Sequence, residues 1–158
     1  MSNKPITLGW REWVLLPELN LPPLKAKIDT GARTSCLHAF SLQPFNKGPS
    51  AWVRFGMHPH QQDPDTEVFC EAKIVDKRIV TDSGGHREER YVISTLLELG
   101  KTQWPIEITL TNRDTMRFRM LLGRTAMQDK IIVDPSGSYL LGNTENTPLD
   151  VPTKENIN

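Results

Sequence analysis

Apolar and polar residues alternate along much of this chain at the two-residue period of strands with one buried face. In residues 24–29, Leu24, Ala26 and Ile28 are interleaved with Lys25, Lys27 and Asp29, and residues 51–55 alternate again. Residues 8–16 carry tryptophans and aliphatics between charges, which also predicts a strand. Residues 68–80 form a longer interrupted run, suited to a bent strand or half of a hairpin. Residues 91–99 and 104–110 read as a hairpin, with Gly100 placed to supply a positive φ at its turn. Only residues 124–130 look helical, and briefly so. Residues 131–133 and 139–141 predict two late strands split by a Pro135-Ser136-Gly137 turn. Residues 56–66 are polar and Pro-containing, a surface loop. The pattern predicts an all-β domain of short strands with one small helix.

Composition narrows the field without naming a function. A chain of 158 residues is enough for one domain with its own core. The expected division is a domain over 1–142 and a flexible tail over 143–158, where large apolar residues are scarce. Nineteen basic and nineteen acidic residues cancel, so no global field points to nucleic acid or a membrane surface. Cys36 and Cys70 are too few for a disulfide framework and read as reduced thiols. No apolar leader follows Met1 and no run reaches the roughly 20 apolar residues of a membrane helix, so a cytoplasmic location is expected.

The chemistry concentrates at Asp29-Thr30-Gly31-Ala32, which follows the apolar Ile28, and at the distant Leu121-Leu122-Gly123-Arg124. An Asp in a tight turn, a Thr whose hydroxyl can bond neighbouring backbone, and a Gly permitting close approach suit a carboxylate that activates water. With Gly9-Trp10-Arg11-Glu12-Trp13, residues 25–38, 83–93 and 112–126, these motifs make the chain resemble the retropepsin-like aspartic peptidases of bacteria, the RimB-like family often labelled "ATP-dependent zinc protease". The resemblance implies a retropepsin-like closed β-barrel lobe with one short helix. It implies a hydrolase in which Asp29, Thr30 and Gly31 form the catalytic turn. Ala32, Arg33, Ser83, Gly84, Gly85 and Arg90 would contact substrate, with 83–85 as a flap tip.

One lobe holds one such Asp, and two carboxylates about 3 Å apart are needed to share a proton. The resemblance therefore implies a homodimer. Asp82-Ser83-Gly84 also fits the motif, but the stretch between Asp29 and Asp82 is too short for a complete lobe and a flap hairpin explains the adjacent glycines. Conventional retropepsins carry acidic residues where Arg33 and Thr34 stand. Arg33 would then pair with acidic peptide through its bidentate fork, with Arg87 and Arg90 adding to the field and Glu88 orienting one of them. The resemblance adds glutamate-tailed ribosomal protein as a partner. Arg124 loses its usual acidic partner and must find another. Two other readings stand beside the peptidase: a non-catalytic module binding acidic tails, and a metal-dependent hydrolase using Asp29 with His38. Cys36, His38, His58, His60 and His86 show no zinc-site spacing, and no Walker motif supports ATP. No cofactor is expected.

Overall fold

The computed structural model describes residues 4–82, 84–112 and 117–142; the expected tail, 143–158, lies outside them. Eleven strands form in chain order: β1 (Ile6–Leu8), β2 (Arg11–Val14), β3 (Leu24–Asp29), β4 (Ser35–His38), β5 (Ser41–Lys47), β6 (Ser50–Met57), β7 (Val68–Thr81), β8 (Arg87–Leu99), β9 (Thr102–Thr111), β10 (Met120–Gly123) and β11 (Ile131–Val133). Helix α1 (Arg124–Met127) runs into a 3-10 turn, Gln128–Lys130. No helix among the described residues is long and apolar enough to cross a membrane.

Nine strands form one sheet in the order β2-β3-β10-β4-β9-β8-β7-β6-β5, and β1 pairs with β11 in a separate two-stranded sheet. The mostly β reading with one short helix holds. Closure does not: the nine-strand order ends at β2 and β5 with no pairing between them, so the expected closed barrel is corrected to an open sheet. The outer edge of β2 is occupied by the chain's own later segment, with Trp10 N–H donating to Gly137 O at 2.8 Å and Tyr139 N–H to Arg11 O at 2.9 Å. That segment was expected to be a strand at 139–141. It is a turn instead, with Tyr139 at φ 53°, a left-handed conformation unusual for a bulky residue.

Alternation becomes burial as expected. Leu24 and Ala26 of β3 are at most 1% exposed, and they pack with Leu37, Phe55, Ile93, Leu97, Ile108, Leu110, Met120 and Leu122 in the core. The predicted hairpin is β8–β9, and Gly100 at its turn has φ 59°. The long run at 68–80 is β7, irregular between Ile74 and Asp76, where its register against β8 shifts. The expected helix is split between α1 and the 3-10 turn.

Candidate functional site: the Asp29 turn and its basic strip

Strand β3 runs between β2 and β10 and ends at Asp29. There the Asp29 carboxylate accepts the Gly31 N–H at 3.0 Å, and its carbonyl accepts the Ala32 N–H at 3.2 Å, closing a tight turn. Asp29 is half-buried, while Thr30, Gly31 and Arg33 are exposed. Strand β10 lies parallel to β3 with Gly123 opposite Asp29. Gly123 donates to the buried Ser35 hydroxyl at 3.0 Å. A Cβ on Gly123 would sit 2.6 Å from the Thr34 carbonyl carbon and 2.9 Å from Ser35 N, so only glycine lets these two segments cross. The following residues fasten the far side, with Arg124 N–H donating to Ala32 O at 2.9 Å and Thr125 N–H to Arg33 O at 3.0 Å. Arg124 also finds its partners here: its guanidinium donates to Gly31 O at 3.2 Å and Thr30 O at 3.4 Å. The two motifs separated in sequence thus build one turn.

The remaining expected site residues are dispersed. Gly84 and Gly85 lie exposed at the tip of the β7–β8 hairpin, where Asp82 Oδ1 accepts the Gly84 and His86 N–H groups, each at 2.9 Å. Ser83 falls outside the described residues. Arg87 is exposed, but Arg90 is 9% exposed and already engaged. It donates to Glu88 Oε1 at 2.9 Å and to Cys36 Sγ at 3.5 Å, while Thr111 Oγ1 also donates to Glu88. The expected field of Arg87 with Arg90 is therefore corrected: Glu88 holds Arg90 inside the sheet. His38 is buried on β4, opposite Thr111 in register. Among the described residues, no three His, Cys, Asp or Glu side chains group to hold a metal ion.

The sheet supplies other cations that the sequence reading passed over as functional residues. Successive strand residues point to opposite faces, so Lys25, Lys27 and Asp29 share one face of β3. Arg11 on β2 pairs in register with Lys27, and Trp13 with Lys25. Arg11 lies between two rings, 4.6 Å from Trp10 and 4.9 Å from Tyr139, while the Lys25 ammonium is 5.2 Å from Trp13. Such contacts hold cations in place without neutralising them. Neither Lys25, Lys27 nor Arg33 forms an ion pair among the described residues. The signal was present in the alternation of residues 24–29, which sets two lysines on the face of Asp29.

Glu12 holds the strip from behind. Fully buried, it accepts N–H bonds from Gly9 at 2.6 Å, Leu140 at 2.9 Å and Leu141 at 3.2 Å. Burial pushes its carboxyl up from the ordinary range, and the three backbone donors only partly offset this.

An open β sheet with a glycine-crossed Asp-Thr-Gly turn defines a retropepsin-like domain. The chain belongs to the RimB-like family, described as retropepsin-like aspartic endopeptidase RimB, whose model matches residues 7–144. A crystal structure of a Legionella pneumophila protein of unknown function superposes with a TM-score of 0.72 at 28% identity, covering 87% of this chain and 99% of that one. Three relatives carry the name "Probable alpha-L-glutamate ligase". The one from Shewanella pealeana is 46% identical over 90% of this chain and 31% of its own length. Those from Shewanella halifaxensis and Parasynechococcus marenigrum are 43% and 46% identical over 95% of this chain and 33% and 32% of theirs. The chain thus spans about a third of the length of these curated relatives. Their names correct the expectation of an aspartic peptidase: the activity named for these relatives is that of a ligase, which forms bonds where a hydrolase breaks them.

Proposed function

We propose that this chain is the glutamyl-chain-recognising module of an α-L-glutamate ligase system. The observation that carries it is the strip of Lys25, Lys27 and Arg11, on the exposed face leading to the Asp29 turn, with Arg33 beyond. An extended acidic peptide has the same strand rise as β3, so its carboxylates recur at the spacing of Lys25 and Lys27, about 6.6 Å for alternate residues. The relatives' ligase name supplies the substrate chemistry, and their extra length leaves room for the ligation step elsewhere. The Asp29 carboxylate at the end of the strip sets a limit, because it repels an acidic chain that runs past it.

The test is fluorescence anisotropy of a labelled oligoglutamate peptide on the full chain, with the peptide's mass checked afterwards so that binding is read from intact ligand. Exposed ion pairs contribute about 0.2–1 kcal/mol each. Lys25→Gln with Lys27→Gln should therefore weaken binding by about 2- to 30-fold, and added salt should weaken wild type further. Equal affinity of wild type and double variant would refute the assignment.

A further inference from the structure

Beside the strip lies a depression of about 340 Å³ lined by Trp13, Lys25, Pro59, His60, Gln61, Gln62 and Asp63. Two of its lining residues hold buried N–H donors with no acceptor among the described residues: Trp13 Nε1 and Gln61 Nε2. Trp13 as a whole is 8% exposed. Buried donors are nearly always paired, and two orphans in one pocket call for an acceptor from outside the described residues. Lys25 adds a positive charge to the same wall, within 5.2 Å of the Trp13 ring.

The carboxylate already in the pocket is committed elsewhere. Asp63 accepts the Asp65 N–H at 3.0 Å, the Thr66 N–H at 3.3 Å and the Thr66 hydroxyl at 2.6 Å. The Thr66 hydroxyl above all holds Asp63 ionised, so it shapes the 59–63 wall and leaves the orphan donors unanswered. Neither donor is open to solvent as the loop stands, so a ligand's acceptor reaches them only if the 59–63 wall gives way.

We infer that this pocket is a carboxylate subsite for the terminal residue of a glutamyl chain. Three features converge on a chain end. Lys25 belongs both to the strip and to the pocket, so a peptide lying over Lys27 is led into it. The pocket offers two neutral donors and one ammonium, and a terminal glutamate is the residue of such a chain that presents two carboxylates, α and γ. The depression has the size of a small-ligand site and is walled on one side by residues 59–63. This inference rests on the proposed recognition of glutamyl chains and adds which end of the chain is read.

The experiment compares two fluorescein-labelled tetraglutamate peptides, one with a free C-terminus and one amidated, by anisotropy on the full chain. Wild type should bind the free acid about 10-fold more tightly. Gln61→Met and Trp13→Phe remove a donor without changing charge, and each should bring that ratio to about 2-fold or less. Gln61 lies on a loop, so Gln61→Met keeps the test valid even if Trp13→Phe fails to fold. Lys27→Gln should weaken both peptides alike and preserve the ratio. If both peptides bind wild type equally, the subsite is refuted and the strip survives. If neither binds, the glutamyl-chain reading itself falls.

Discussion

Gly123→Ala is the sharpest test of how the Asp29 turn is built. The added Cβ would lie 2.6 Å from the Thr34 carbonyl carbon, 2.9 Å from its oxygen and 2.9 Å from Ser35 N. All three are backbone atoms, so no side chain can rotate away. Ordinary contact requires a separation of roughly half an ångström or more beyond these distances, and overpacking of that kind costs about 1–3 kcal/mol. The same separation stretches the buried Gly123 N–H bond to Ser35 Oγ, now 3.0 Å, which adds about 1 kcal/mol. The expected loss is therefore about 2–4 kcal/mol, a fall in Tm of about 4–16 °C for a chain of this size. Thermal unfolding followed by circular dichroism gives the number, and Ser35→Ala alone isolates the hydrogen-bond share. Because Asp29 and Arg33 are fastened to the shifted segment, oligoglutamate binding should weaken as well. A Gly123→Ala protein melting within about 1 °C of wild type would show that the two segments do not cross as described.

Two further outcomes follow from buried groups. The Glu12 carboxyl is held above 4.5 by burial, so just above that pH the folded chain keeps a proton that the unfolded chain has lost. Its contribution then makes stability fall as pH rises through the window; urea unfolding should show the advantage of wild type over Glu12→Gln growing from pH 7 towards pH 4.5, and an advantage that shrinks on acidification would overturn the burial argument. Burial pushes the Cys70 thiol up to about 11, so alkylation of Cys70 at pH 8, located by peptide mass mapping, should run at least ~100-fold slower than at a free cysteine; a comparable rate would mean that β7 opens there.

Much of the sheet was legible because half-buried strands alternate. Residues 24–29, 51–55 and the β8–β9 hairpin satisfied that rule, and Gly100 marked its own turn. Strand β5 escaped because almost none of its residues is buried, so it has no period to read. Residues 139–141 were misread because apolar side chains report burial and not backbone geometry. Here Glu12 takes the Leu140 and Leu141 N–H groups that a strand would have offered to a neighbour. The open sheet depends on edge pairings distant in sequence, beyond any local pattern. Within the site, the Asp29 turn and its Leu-Leu-Gly partner were legible as motifs. Glu88, read in sequence as orienting one of Arg87 and Arg90, stands on the strand face of Arg90 and holds it, which local pattern could not distinguish from a cation offered to substrate. The orphan donors of Trp13 and Gln61 left no local signal, because they arise where β2 meets a loop some fifty residues on.

The two faces of β3 separate folding from recognition in a way that can be checked residue by residue. Leu24, Ala26 and Ile28 face the core, at 1%, 0% and 7% exposure, so enlarging or truncating them changes packing before anything else. Lys25 and Lys27 face outward and form no ion pair among the described residues, so neutralising them leaves the core intact. Their cost falls on a charged ligand. Asp29 ends this outward row, yet its carboxylate also closes the turn through Gly31, so it belongs to both roles. Asn in its place retains an acceptor for that N–H and removes the charge, so the turn should persist while the repulsion at the end of the strip disappears. An acidic chain lying along Lys25 and Lys27 would then be held more tightly by Asp29→Asn than by wild type, and equal affinity would place the chain away from the turn.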